Sequence, residues 1–415
     1  MLVTALLNPQ GTLALRPGTP RFRLLAGGDV CPILRLEAPL AAGRVDEIFA
    51  GSRALLQDAD LAVINLESPL CRVNTPIAKC GPNFRAAPAI ARTLREAGVD
   101  VCTLANNHIL DQGAEGLAET LAALDSAGVQ HLGAAPTTAA AAAPLRLTAG
   151  GGRLTLLNFA EGEYSRSRHG RPGAAPIETL ANTHAVSAAA AQADWVVVFL
   201  HIGVEQVLFP SPFLRQRCRA LIAAGATAVI AHHPHVPQGI EVWQGAPIVY
   251  SLGNLLFDWH EPEPETDSSF LLELGLGAPR EVASLAVHPF RKSACTGIEL
   301  LCGHARGQYV TFLNELSAPL LDDVQADLLW DEQCRMLWNS WYLPRLRRVA
   351  ELESPDPALR HRAQLGIHNL FDHDSHRDLI TRALELAAAG RFAPDPTVRP
   401  RLDQLMETLK GFVGG

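Results

Sequence analysis

The sequence predicts a layered α/β domain followed by a helical C-terminal extension. Three observations point there. Short β-branched runs alternate with helical stretches between Arg21 and Val287, the pattern of sheets covered by helices. The most apolar run, Trp195–Leu200, has the composition of a strand buried on both faces. Beyond Leu316 the strand pattern stops, and helical sequence carrying Trp330, Trp338, Trp341 and Tyr342 runs on to Gly415. The chain is therefore divided into an α/β domain over residues 1–315 and a helical extension over 316–415.

The elements follow in order. Arg21–Gly28 is expected to be a strand, Val45–Gln57 a helix and Leu61–Leu66 a second strand. Ala89–Ala97 and Glu115–Ala127 read as helices closed by Gly98 and Gly128, with strands Val99–Ala105 and Val129–Leu132 after them. Leu145–Thr148 and Arg153–Phe159 flank Ala149-Gly150-Gly151-Gly152 as a hairpin. Ile177–Ala193 and Pro212–Ala224 are helical, and Ala226–Ala231 is a strand. Ile240–Trp243, Pro247–Ser251, Phe270–Leu276 and Glu281–Val287 complete the strands, while Glu261–Asp267 reads as an exposed acidic flap.

Composition narrows the function classes. At 415 residues, 48% hydrophobic and 19% charged, the chain can bury a substantial core. A net charge of -8 argues against a nucleic-acid partner, because phosphate backbones call for an excess of Lys and Arg. No run is long enough for a membrane span, and Met1–Pro20 lacks the regions of a signal peptide. The eight cysteines contain no C-x-x-C pair and read as reduced thiols, so a cytoplasmic location is expected.

Polar residues of one chemical kind recur just after apolar strands, where open α/β sheets place their ligands. They are Asp29, then Asn65 and Glu67, then Asn106, Asn107 and His108, then His201, then His232, His233 and His235. Repetition at five strand ends is hard to assign to chance. Asp, Glu, Asn and His are the donors a pair of divalent ions requires. Such a pair clamps both oxygens of a displacement and lowers the pKa of a shared water, and a separate His can protonate the leaving group.

At these residues the chain resembles a known family. Gly28-Asp29-Val30, Asn65-Leu66-Glu67, Ala105-Asn106-Asn107-His108, His201-Ile202-Gly203, His232-His233-Pro234-His235-Val236 and Ser251-Leu252-Gly253-Asn254 follow the order and spacing of the capsule-biosynthesis protein CapA family. That family is similar to the calcineurin-like metallophosphoesterases. The resemblance covers about Phe22 to Asp258 and implies a four-layered α/β/β/α sandwich. It implies two divalent metal ions (Mn, Fe or Zn), with Asp29 and His235 at the first site, Glu67 bridging, and Asn107, His201 and His233 at the second. His108 resembles the catalytic histidine. Two departures stand out: Asp29-Val30-Cys31 replaces the phosphoesterase D-x-H, and Glu67 replaces a bridging Asp, changes that CapA-type sequences commonly share.

Other residues leave alternatives open. Arg85 and Asn65 are the candidate substrate-binding residues: Asn65 either supports the site from behind a ligand or shapes a turn, and Arg85 either grips an anionic substrate or makes a surface salt bridge. His233 and His235, two apart, would face one side of an extended segment, which leaves His232 as structural; Asn106 braces its turn. Asn254 matches the family motif or caps a turn, and Cys31 reads as a packing thiol. In the extension, His361, His368, His373 and His376 read as flanking a solvated helix start capped by Asp374 or Ser375. The Trp cluster reads as packing, so the extension should dock on the α/β domain or form a homodimer contact.

The leading functional expectation is a hydrolase of phosphoesters acting on an anionic small-molecule or polymer substrate, without nucleic-acid or membrane partners. Amide hydrolysis or transfer on a γ-glutamyl, capsule-related substrate is the alternative that the resemblance implies. A non-catalytic accessory protein of polymer biosynthesis is the third: the missing first-site imidazole favours it, and retention of His108 opposes it.

Overall fold

The computed structural model describes residues 7–259, 263–292 and 297–413. Two sheets face one another. The first has the strand order Thr12–Ala14, Val282–Lys292, Ser268–Leu276, Phe22–Cys31, Leu61–Leu66, Val101–Thr103 and Gln130–Leu132. Asn254–Phe257 pairs with Phe22–Cys31 off this path, and Ile298–Leu300 with Val282–Lys292. The second runs Ile240–Trp243, Ala246–Val249, Ala228–His232, Trp195–His201, Gly152–Ala160, Leu145–Ala149. The inner strands of the second sheet are parallel and its two edges antiparallel.

Alternation along the strands builds the layers. Leu24, Ala26, Val63 and Val101 of the first sheet meet Leu154, Leu156, Val197, Phe199 and Ile230 of the second in one core. The opposite faces pack on helices. Leu25, Ala62, Ile64 and Cys102 cover Ile48, Leu56, Leu94, Leu117 and Leu124, while Val196, Val198 and Val229 cover Val186, Leu214, Cys218 and Leu221. This is the four-layered α/β/β/α sandwich.

The helices after the last strand are docked. Gly303–Ser317 inserts Tyr309, Phe312, Leu313 and Leu316 into the core between the sheets, and Arg399–Gly411 adds Leu402, Leu405 and Leu409. Trp330 and Tyr342 are buried with Leu370, Leu379 and Ala383, and Val204 and Val207 of the α/β domain complete this cluster. Leu379→Ala is expected to cost about 2–5 kcal/mol, the range for emptying a fully buried leucine site, read from denaturant unfolding; a change under about 1 kcal/mol would show that the cluster packs loosely.

Three local expectations are corrected. Val45–Gln57 is not one helix but Val45–Phe49 and Arg53–Asp58. The break falls at Gly51, where a Cβ would lie 2.4 Å from the carbonyl oxygen of Ile298, so that strand crosses directly over the backbone. Asn254–Phe257 is a strand that the sequence reading omitted. Of the expected flap Glu261–Asp267, Glu261 and Pro262 lie outside the described residues, while Pro264–Thr266 forms a 3-10 turn with Thr266 buried under the indole N–H of Trp259.

One close approach sets the floor of the site. A Cβ on Gly28 would sit 1.9 Å from the carbonyl oxygen of Gly253, the oxygen that accepts from the Asp29 N–H at 3.0 Å. The obstacle is backbone and cannot rotate away. Gly28→Ala is therefore expected to destabilise the fold by at least the 1–3 kcal/mol typical of overpacking, seen as a lower Tm; an unchanged Tm would mean the two segments separate freely.

Candidate metal centre

Strand register carries the donors to one edge. Asp29 lies opposite Asn65 on one neighbouring strand and Asn254 on the other, and His201 lies opposite His232 across the second sheet. Asp29, Asn65, His201 and His232 stand at the carboxyl ends of parallel strands, as the sequence pattern anticipated, while Asn254 begins its strand.

Glu67 stands at the middle. One oxygen lies 3.3 Å from His201 Nε2 and 4.0 Å from His235 Nε2. Donor atoms of Asp29, Glu67 and His235 all fall within 4.8 Å of one another, and so do those of Glu67, His201 and His233. His201 Nε2 is also 3.0 Å from Asn107 Oδ1. The six residues expected to bind metal are thus brought together. Cys31 is not in either group; it packs with Ile33 and Phe257, and burial pushes its thiol well above the ordinary range.

The loop geometry differs from the expectation. His233 and His235 do not lie on an extended segment: both have left-handed backbones, at φ 104° and 60°. Such conformations cost about 1–3 kcal/mol each in non-glycine residues and cluster at functional sites. His232 is buried at its strand end beside Phe199 and belongs to neither donor group, with its Nδ1 3.5 Å from Asp29 Oδ1.

The electrostatics suit cations. Both Glu67 oxygens are buried without a hydrogen-bond partner, a costly state for a carboxylate unless something else satisfies it. Burial, with the charge of Glu67 added, lifts the Asp29 carboxyl to about 7, and burial raises Glu67 too. Burial drives His201 down to about 4 and His233 well below its usual value, so both rings are neutral and offer lone pairs. Burial opposes protonation of His235, but the charges of Glu67, Glu205 and Asp29 outweigh it. Positive charge placed among these groups relieves the carboxylate pair, and a mixed N/O donor set fits borderline divalent ions.

Neighbouring amides hold the donors in place. Asn254 Oδ1 lies 2.9 Å from His235 Nδ1, which leaves Nε2 facing Glu67. Asn65 donates to Asp29 at 2.7 Å and lies 3.3 Å from His201 Nδ1, within reach of two of the candidate donors. Asn106 braces its turn by donating to the Leu66 carbonyl and accepting from the His108 N–H.

His108 sits outside the donor groups. Its Nδ1 lies 2.7 Å from Asp111 Oδ2 and 3.1 Å from Lys79 Nζ, Lys79 pairs with the same carboxylate, and Phe84 stacks on the ring at 4.2 Å. Burial and the Lys79 ammonium lower its pKa. Sequence reasoning missed Asp111 and Lys79. The carboxylate three residues after His108 was a usable signal; Lys79 had none, since only the fold brings it 3.1 Å from the ring. Arg85 donates to the Arg72 carbonyl and lines a cavity of about 310 Å³ with Asn83, Phe84 and Trp259; it makes no surface salt bridge with a carboxylate among the described residues.

The reading of the tail histidines is corrected. His373 and His376 are buried, not solvated, and His373 itself occupies the N-cap position of the helix Asp374–Ala388. The Glu161 carboxylate accepts from the Ser375 N–H and so does the capping from the α/β domain.

Fold and site together define an α/β/β/α sandwich with Asp, Glu, Asn and His side chains gathered at one edge. The model of the bacterial capsule synthesis protein family PGA_cap matches residues 23–259, and the chain belongs to that family. A PGA biosynthesis protein CapA of Bacillus subtilis (strain 168) is 30% identical over 217 residues, 51% of this chain and 57% of the relative. A probable polyglutamine synthesis accessory protein of Mycobacterium tuberculosis is 32% identical over 264 residues, 59% of this chain and 69% of its own. The chain spans little more than half the length of the Bacillus relatives, 54% and 57%. Among solved structures, a 5'-nucleotidase of Candida albicans SC5314 aligns over 74% of this chain and 59% of its own, at a TM-score of 0.38 and 11% identity. No helix among the described residues is long and apolar enough to cross a membrane.

Proposed function

We propose that the protein is a metal-dependent hydrolase of phosphoesters. Asp29, Glu67 and His235 would hold one divalent cation, and Glu67, Asn107, His201 and His233 a second. The observation that supports this most is Glu67, a buried carboxylate common to both donor groups whose two oxygens have no hydrogen-bond partner. When bound, the cations would supply Lewis acidity toward a phosphoryl oxygen and lower the pKa of water toward neutrality.

The chain's own residues do the rest. Asp111 holds a proton on His108 Nδ1 and leaves Nε2 free to protonate a leaving oxygen. Its carboxylate also supports the charged ring, while burial and Lys79 make that ring surrender its proton readily. Arg85 would meet the negative charge of the substrate, and the aromatic rings of Phe84 and Trp259 its body.

The names of the relatives support a second reading, in which the same site cleaves or transfers a γ-glutamyl amide. Assaying the metal-loaded chain on nitrophenyl phosphoesters and on a γ-glutamyl oligomer separates the two. Nitrophenol release that a chelator abolishes and added metal restores is expected. Glutamate release with no phosphoester cleavage would move the assignment to the amide, and neither product would leave the accessory role.

Asn254 gives a test independent of substrate. Removing a group that orients a ligand typically costs 10–100-fold in metal affinity, so Asn254→Ala should weaken binding about that much in competition with a chelating dye. Unchanged affinity would show that His235 needs no such support.

A further inference from the structure

A second set of potential ligands includes His233 and lies where the helical extension meets the sandwich. Glu161 directly follows the strand Gly152–Ala160, whose Ala160 is level with His201, so Glu161 belongs to the same row of strand ends. His373 comes from the junction between the helices Pro357–Asp372 and Asp374–Ala388. One donor atom each of Glu161, His233 and His373 lies within 4.8 Å of the others, and all three residues are buried.

The rings are aimed but unsatisfied. His373 Nδ1 is 3.3 Å from Glu161 Oε2, and His233 lies 5.5 Å from His373 between ring centres. The Nδ1 atoms of His233 and His373 have no hydrogen-bond partner, although the rings are 2% and 1% exposed. Buried polar atoms are ordinarily satisfied, so two such orphans on residues grouped with one carboxylate call for a ligand. The surroundings fix these groups. Glu161 accepts from the Gly203 N–H at 2.6 Å and the Ser375 N–H at 2.8 Å, and His373 stacks on His376, which the Tyr342 hydroxyl holds at 2.7 Å.

We infer that Glu161, His233 and His373 form a third divalent-cation site that joins the helical extension to the sandwich. Two imidazoles and a carboxylate are the donors of a zinc-type site with a position left open. The site shares His233 with the centre proposed above, so each ion would need its own nitrogen of that ring, and it otherwise uses separate residues. A cation here would tie residues more than 200 positions apart, 161 and 373, and would bind only when the extension is docked.

The test is zinc content per chain after loading and desalting, measured on the full-length protein. Wild type is expected to hold one ion more than Glu161→Gln and one more than His373→Asn. Glu161→Gln keeps an acceptor for the Gly203 N–H, so it stays informative if His373→Asn fails to fold. Glu67→Gln serves as the reference for the other centre: it should lose zinc there yet keep the ion at Glu161. Equal zinc in wild type and Glu161→Gln would overturn the inference and leave Glu161 and His373 as a docking contact. That result would not touch the Glu67 centre, and loss of zinc from Glu161→Gln alone would not depend on it.

Discussion

Replacing His108 with alanine is expected to lower turnover on a phosphoester with a poor leaving group by roughly 10²–10⁴-fold, the usual contribution of a general acid. Metal content should be unchanged, because His108 belongs to neither donor group and its Nδ1 is occupied by Asp111. The loss should shrink as the leaving group becomes more acidic, since a nitrophenolate departs without a proton. A leaving-group series measured for wild type and variant decides the matter. Parallel losses across the series would show that His108 does something other than donate that proton, and a fall in metal content would make it a ligand.

Glu67→Gln should have the largest effect on metal binding, removing the carboxylate that both donor groups share. Neither of its oxygens has a hydrogen-bond partner, so the substitution breaks no hydrogen bond of the fold. It also removes the like charge that helps lift Asp29 to about 7. Relieving two buried carboxylates of one charge stabilises the metal-free state. The metal-free variant is therefore expected to melt at or above the wild-type temperature while the ions at Asp29 and His201 are lost. The stabilisation that metal confers on wild type, visible as a rise in Tm with added metal, should shrink with them. Retention of both ions would remove Glu67 from the bridging position.

Much of this site was legible because its residues interrupt apolar runs. Asp29, Glu67, Asn107, His201 and the His233–His235 pair each follow a strand whose β-branched or aliphatic composition announces it. Parallel pairing then aligns those ends without further instruction. Glu161 was missed because its strand was read only as one arm of a hairpin, and its other edge pairs with Trp195–His201. His373 was misread because local sequence around a helix start cannot show that a carboxylate 212 positions earlier buries it. The break at Gly51 and the close approach at Gly28 likewise depend on segments distant in sequence. Local pattern identified donors; long-range packing decided how each is held.

The most direct test of the account is metal-edge anomalous diffraction from crystals of the metal-loaded protein. Two peaks are expected to flank the Glu67 carboxylate, each about 2.0–2.3 Å from its donor atoms, one beside Asp29 and His235 and the other beside Asn107, His201 and His233. Full loading in solution with no peak within bonding distance of Glu67 would contradict it.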